Sequence, residues 1–206
     1  MYKLVLATSN PGKIREFKVM LNGLNLQVLP QSIFSLPEAD ETGLTFVENA
    51  LFKARSASLN TGLPALADDS GLMVDALAGA PGVYSARYAG LDALDRNNND
   101  KLLSELDGVP MERRTARFVC ALVLLRYQTD PAPLICQASW EGIILTEPYG
   151  ANGFGYDPIF WVLTEQRTSA QLASEAKNRL SHRGQAVTSL LQQLSQLPTF
   201  WEMSMQ

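Results

Sequence analysis

Ala67-Asp68-Asp69-Ser70-Gly71-Leu72 sets two adjacent carboxylates, a hydroxyl and a glycine inside an otherwise apolar run. Leu63-Pro64-Ala65-Leu66-Ala67, just before it, reads as a short buried strand, with its proline at the start where a missing donor is tolerated. Leu72-Met73-Val74 then resumes the apolar run. Two acids at the edge of a core are costly to desolvate, so they call for a cation, a metal or hydrogen bonds. On a strand, adjacent side chains point to opposite faces, so only one acid need face a given site. Asp-Ser-Gly is also ordinary turn chemistry. On this stretch alone, turn and site stand level.

The whole chain narrows the choices. Its 206 residues are 46% hydrophobic and 18% charged, which gives a folded protein, with one domain over 1–206 or two intimately packed lobes as the natural expectation. A net charge of −4 argues against a protein that grips nucleic acid along its backbone. Small anions remain open, because local lysines and helix N-termini can oppose the global sign. Cys120 and Cys136 lie in apolar runs without CxxC spacing and read as buried free thiols. His182 is the single histidine, which excludes a multi-histidine metal centre. No leader precedes the first strand and no apolar run reaches membrane-spanning length, so the expectation is a cytoplasmic protein without a membrane partner.

Upstream of the acids, Lys3-Leu4-Val5-Leu6-Ala7 reads as a strand and Thr8-Ser9-Asn10-Pro11-Gly12-Lys13 as a polar loop. Ile14, Phe17 and Leu21 then follow at helical spacing. Strand, polar loop and helix aim backbone N–H groups at an anion such as phosphate. It is not a Walker A loop, which wants Gly where Ala7 stands and Ser or Thr where Ile14 stands. A second strand is expected over Leu24 to Leu29, then a polar stretch from Pro37 to Gly43. Thr45-Phe46-Val47-Glu48 forms a capping box opening a helix to about Leu59, with Lys53 and Arg55 off its apolar stripe. Glu41, just before that helix, can join Asp68 and Asp69 in a carboxylate cluster for a hard cation such as Mg²⁺. A favourable contact with the helix dipole is the plainer reading of Glu41.

Downstream, Gly79 to Tyr88 reads as a turn into a structural segment, and Asp92 as the cap of a helix through Leu94 to Leu106. Arg117 to Tyr127 is the best central strand, Gln128 to Pro133 a turn, and Leu134 to Leu145 the returning strand of a hairpin. Arg113, Arg114 and Arg117 read as a solvated basic face. Gly150 to Phe160 displays aromatics and an acid among three glycines, which suits close approach to a ligand and stacking on a nucleobase. Equally, such a loop can plug a core with its aromatics. Lys177, His182 and Arg183 gather where Ser181 caps a helix, opposing its dipole, and this placement of donors favours an acceptor ligand. The apolar tail, about 197–206, packs on the body or at a subunit contact.

Taken together, Thr8-Ser9-Asn10 with Lys13, Ala67 to Leu72, Gly153-Phe154-Gly155-Tyr156-Asp157-Pro158 and Ser181-His182-Arg183-Gly184 resemble the motif set of the inosine triphosphate pyrophosphatases. Ser9 stands where such enzymes often carry Gly, which leaves the loop polar. The resemblance implies an α/β fold: an elongated mixed β-sheet with flanking helices forming two lobes around a central cleft. It also implies a homodimer that hydrolyses non-standard purine nucleoside triphosphates (dITP, ITP, XTP) to the monophosphate and pyrophosphate with Mg²⁺. By that resemblance Thr8, Ser9, Asn10, Pro11, Gly12 and Lys13 hold the phosphates. Glu41 and Asp69 bind the metal, with Asp68 as a further candidate, and Asp69 is the general base. Ser70 touches the substrate, Phe154 stacks on the base, and Gly155, Tyr156, Asp157, Lys177, Ser181, His182 and Arg183 surround it.

The residue types suit that chemistry. Attack of water on phosphorus needs a base, a metal to neutralise charge and a cation on the departing pyrophosphate. Lys177, His182 and Arg183 are donors for a 6-oxo group, and adenine, with a 6-amino group, would leave them unpaired. Guanine must be excluded at its 2-position. A pyrophosphatase for another modified nucleotide, or a nucleotide sensor without turnover, shares the same phosphate residues.

Overall fold

The computed structural model describes residues 1–36, 39–197 and 200–201. Residues 37 and 38 of the polar stretch, and 198, 199 and 202–206 of the expected apolar tail, lie outside the described residues. Two compact units are formed. Unit 1 comprises Met1–Asp69, Cys120–Ala138 and Gln185–Gln206, and unit 2 comprises Ser70–Val119 and Ser139–Gly184. Among the described residues, seven strands form one mixed sheet in the order β2-β1-β3-β4-β5-β6-β7.

Unit 1 is built on β1 (Tyr2–Leu6), flanked in parallel by β2 (Leu26–Pro30) and β3 (Ala65–Val74), with Leu6 opposite Leu66. Parallel neighbours require crossovers. Helix α1 (Pro11–Met20) connects β1 to β2, and α2 (Phe46–Thr61) leads into β3. β4 (Thr115–Leu125) and β5 (Leu134–Ile144) follow in the sheet. Strand alternation sorts the core into two faces. Leu4, Leu6, Leu66, Cys120, Leu122 and Leu124 share a cluster with Phe17 of α1 and with Val187 and Leu190 of α5 (His182–Ser195). Val5, Ala7, Ala65, Ala67, Val123 and Leu125 pack instead on Ala50, Ala54 and Ala57 of α2. An alanine seam lets that helix lie close to the sheet.

The strand through the acidic pair is continuous from Ala65 to Val74, so Asp68-Asp69-Ser70-Gly71 is extended backbone and not a turn. The Thr45 capping box is present: Glu48 N–H donates to Thr45 Oγ1 at 3.2 Å and Thr45 N–H to Glu48 Oε2 at 2.9 Å. The helix runs two residues past Leu59, to a left-handed Gly62 (φ 66°). Phe200 is buried in the face shared with α1, and Trp201 stacks on Tyr2 at 5.8 Å. This described part of the tail packs on the body. Both cysteines are buried, and neither is in a disulfide.

In unit 2, Leu72, Val74, Ala116, Phe118, Trp140, Ile144, Phe160 and Val162 form one cluster with Leu102 of α3 (Asp95–Glu105) and with Leu106, just past its end. The short strands β6 (Phe160–Val162) and β7 (Arg167–Thr168) continue the sheet antiparallel from β5. Helix α3 starts at Asp95 and not at Asp92, because the Leu94 N–H is taken from within the helix, by Asn97 Oδ1 at 3.2 Å. Arg114 is not part of a solvated face. It is buried and donates to the carbonyls of Leu106 at the end of α3, Val109 in the loop that follows and Leu145 just past β5, satisfying acceptors left open there. Arg117 stays at the surface, paired with Asp75 and Glu141.

The turn between β4 and β5 is pinned by Asp130, which is fully buried. Its Oδ2 accepts from Arg126 N–H at 3.1 Å and Nε at 2.8 Å, and its Oδ1 from Ala132 N–H at 3.0 Å. Burial pushes this carboxyl up, but the Arg126 and Ala132 donors outweigh it and hold the group below its ordinary value of 3.8. Asp130→Asn should therefore cost about 2 kcal/mol at pH 7. A depressed folded value means that the stabilisation is present above the unfolded value and lost as pH falls through the folded one. The gap between variant and parent in urea unfolding should accordingly close in acid; equal gaps at pH 7 and pH 2 would remove the charge of Asp130 from the account.

Candidate functional site

In unit 1, β1 is followed, after Ala7, by Thr8-Ser9-Asn10, and α1 starts at Pro11, a first helical position where no N–H is missed. Asn10 caps the helix, its Oδ1 accepting from Lys13 N–H at 3.1 Å, and Thr8 Oγ1 accepts from Asn10 N–H at 3.2 Å. The first turn of α1 carries no acid, so its positive end is not offset by its own sequence. Gly12 is buried in that turn, and Ser9, Asn10 and Pro11 are exposed.

The acidic pair divides by strand alternation. Asp68 is 1% exposed, and its Oδ1 lies 2.6 Å from Nζ of Lys13 on α1. Asp69 is 6% exposed and turns to α2, where Nζ of Lys53 lies 2.7 Å from its Oδ1 and 3.0 Å from Glu41 Oε1. Asn49, one turn before Lys53, donates to Asp69 Oδ2 at 3.4 Å and accepts from Gly43 N–H at 2.8 Å, tying the Glu41 segment to the strand. Glu41 and Asp69 thus meet around one ammonium group, that of Lys53. Asp68 stands on the other face.

Electrostatics follow from this arrangement. Burial pulls the Lys53 amine down, but Asp69, Asp68 and Glu41 together outweigh it and raise it above 10.5, so it stays charged. Asp69 is raised above 3.8, because burial and Glu41 outweigh the pull of Lys53 and Lys13. A buried carboxylate of raised basicity is suited to taking a proton.

Lys53 and Asn49 are the residues that sequence reasoning missed. Their signal was available: they are four apart, on one helix face, beside the alanine seam of Ala50, Ala54 and Ala57.

In unit 2, the loop from Gly150 to Pro158 is organised by Asp157, 2% exposed. Its Oδ2 accepts from Phe154 N–H at 2.9 Å and from Lys177 Nζ at 2.5 Å, and its Oδ1 accepts from Ser169 Oγ at 2.8 Å. Gly153 has φ +78°, and a Cβ there would fall on Asp157 Oδ2. The Phe154 ring lies 4.6 Å from Lys177 Nζ and 5.8 Å from Arg183 Cζ. The Tyr156 ring belongs to the core, and its hydroxyl donates to Ser85 O at 2.8 Å.

Lys177 stands on its own helix, α4 (Ser174–Leu180), and not at the start of α5. Ser181 caps α5, accepting from Gly184 N–H at 3.2 Å, and Gly184 lacks room for a Cβ against the Asn178 carbonyl. His182 stacks on Phe118, 4.8 Å between centroids and 10° between planes. Arg183 is 2% exposed and donates to Ser70 Oγ at 2.8 Å. Phe154, Asp157, Lys177 and Arg183, with Ser70, are therefore one connected group.

Buried acids with lysines near a helix N-terminus suit phosphate, and an aromatic face flanked by cations suits a nucleobase; the class these groups define is a nucleotide-handling α/β protein. The chain belongs to the Ham1 family, which matches residues 4–193. It is 57% identical to a dITP/XTP pyrophosphatase of Photobacterium profundum, over 92% of this chain and 96% of that one. To the dITP/XTP pyrophosphatase of Escherichia coli (strain K12) it is 54% identical, over 94% and 98%. The solved structure of a HAM1 protein from Coxiella burnetii superposes with a TM-score of 0.88 at 50% identity, covering 95% of this chain and 100% of that one.

Lys53→Met would leave Glu41 and Asp69 without their shared cation. A loss of roughly 2–3 kcal/mol at pH 7 is expected, since one half of a buried pair is removed. Urea unfolding at pH 7 measures it, and an unchanged midpoint would mean that Lys53 holds neither acid.

Proposed function

We propose that this chain hydrolyses dITP, ITP and XTP to the nucleoside monophosphate and pyrophosphate, clearing them from the nucleotide pool. The observation that carries this reading is the division of Asp68 and Asp69 between lysines of two helices, beside the N-terminus of α1. The names of relatives more than half identical over nearly their full length support the choice of substrate.

The residues do the following. Lys13 and the loop Thr8 to Gly12 bind the phosphates through an ammonium group and helix N–H groups. Asp69 accepts the proton of a water whose oxygen attacks the α-phosphorus. The bond from that phosphorus to the bridging oxygen breaks, and pyrophosphate leaves with the electron pair. Lys53 offsets charge beside Asp69.

Mg²⁺ fits the donor set. Glu41 and Asp69 are hard oxygen donors already sharing one cation, the Lys53 ammonium. Among the described residues no three His, Cys, Asp or Glu side chains converge as a cage. Mg²⁺ favours one or two carboxylates plus substrate phosphates over an all-protein cage. Glu41 and Asp69 would hold it, with Asp68 on Lys13, and it would supply charge neutralisation on the phosphates.

In unit 2, Phe154 stacks on the base, and Lys177, His182 and Arg183 present donors to its 6-oxo group. Asp157, Tyr156, Gly155, Ser181 and Ser70 set the positions of those groups. The protein acts as a cytoplasmic homodimer on free nucleotides and not on nucleic acid or membranes. No helix among the described residues is long and apolar enough to cross a membrane.

With dITP and Mg²⁺, pyrophosphate should be released, and Asp69→Asn should lower kcat by at least about a hundredfold with nucleotide binding retained. Orthophosphate as the sole product, or tight binding without turnover, would overturn the assignment. A panel of dITP, XTP, dGTP and dATP should show Phe154→Ala narrowing the differences among bases by about tenfold, the scale of one lost stack. An unaltered preference order with unaltered KM values would remove Phe154 from base recognition.

A further inference from the structure

The base loop is held from a direction that the four motifs do not include. Helix α3 places Asp95 in its first turn and Asn99 one turn later, on the same face. Asp95 Oδ2 accepts from the Gly155 N–H at 2.6 Å, and Asn99 Nδ2 donates to the Gly155 carbonyl at 3.1 Å. The residue behind Phe154 is therefore gripped at both its N–H and its C=O. With Asp157 on the Phe154 N–H, successive peptide groups of the loop are all fixed by side chains.

Gly155 is left-handed (φ +62°), and the space around its Cα is open, so packing does not fix it. The two bonds from α3 do. Asn99 points the same way. It is 8% exposed, and its Oδ1 has no hydrogen-bond partner among the described residues. A buried amide with one end unsatisfied is a poor choice for packing, where leucine would fill a similar volume without the desolvation cost. The one bond it donates goes to Gly155.

We propose that Asp95 and Asn99 are positioning residues for base recognition, holding the Phe154–Gly155 peptide so that the Phe154 face is preset for the purine. This rests on the reading of Phe154 as the base platform. The bonds to Gly155 preorganise the ring without touching substrate, so their loss raises KM and blurs base preference while chemistry at phosphorus proceeds.

The test compares Asp95→Ala, Asp95→Asn and Asn99→Leu with the parent in pyrophosphate release from dITP and dGTP. Asp95→Ala should raise KM for dITP about fivefold, the scale of one hydrogen bond, with kcat within about twofold and an unshifted thermal midpoint. Asp95→Asn keeps an acceptor oxygen and should restore KM to within about twofold of the parent. Asn99→Leu should raise KM in the same sense, with a thermal midpoint equal to or above the parent's. Hydrogen exchange at the Gly155 amide should quicken in Asp95→Ala and not in Asp95→Asn. Unchanged KM in both Asp95→Ala and Asn99→Leu overturns the proposal, as does a loss confined to kcat or tracking a lowered thermal midpoint. If the parent itself releases no pyrophosphate from dITP, the reading beneath it fails instead.

Discussion

The alternation of β3 through Asp68 and Asp69 is the constraint on which unit 1 depends. Two ionised carboxylates side by side in a core repel each other and lose hydration. An extended backbone sends them to opposite faces, where each meets a lysine from a different helix. Those pairs are buried, and a buried ion pair repays its desolvation only with close geometry. Close geometry in turn requires that α1 and α2 lie where Lys13 and Lys53 reach. The alanine seam of α2 supplies this on one face, and the Asn10 cap sets the entry of α1 on the other. On the proposed reading the same constraint gives the acids separate work: Asp68 steadies the phosphate lysine, and Asp69 faces Glu41 and Lys53 for water and metal.

Unit 2 solves a related problem with one acid. Asp157 is buried together with Lys177, and three donors converge on its carboxylate. Lys177 supplies the counter-charge and the two neutral donors fix the direction of the carboxylate, which ties the Phe154 peptide to it. Gly153 is required at its position, because both its left-handed backbone and the closeness of Asp157 forbid a side chain. The result is an aromatic ring with two cations beside it, one on α4 and one at the start of α5.

Much of this was legible in the sequence, for local reasons. Thr45 and Glu48 signal a helix start by side-chain chemistry alone, and the long apolar run after Arg117 marks a central strand. The Gly153 to Pro158 loop and the Ser181 cap are likewise carried by glycine and hydroxyl positions. What escaped depends on tertiary placement. Lys53 looked like a solvent residue beside an apolar stripe, and only the closeness of α2 to the sheet makes it the partner of Glu41 and Asp69. Arg114 belongs by sequence to a basic cluster, and only the carbonyls brought around it from the end of α3, the following loop and the end of β5 make it a buried donor. The start of α3 was misplaced because Asp92 is a good cap by type, whereas the Leu94 N–H is bonded within the helix. The acidic pair was ambiguous for the same reason: Asp-Ser-Gly serves a turn or a strand equally, and sheet pairing decides.

An acidic chain that takes a polyanion must assemble its positive charge locally, and the structure shows how the fold tolerates this. In unit 1, Lys13 and Lys53 are each paired with a buried acid, Asp68 and Asp69. Arg183 is the harder case, being 2% exposed in the first turn of α5, where a cation opposes the helix dipole. Ser70 Oγ and the face of Phe154 both meet its guanidinium group. Hydrophobic packing alone would favour an aliphatic side chain there. On the proposed reading, the place of Arg183 beside the Phe154 ring also puts this cation where the oxygen of a deaminated purine would lie against that ring.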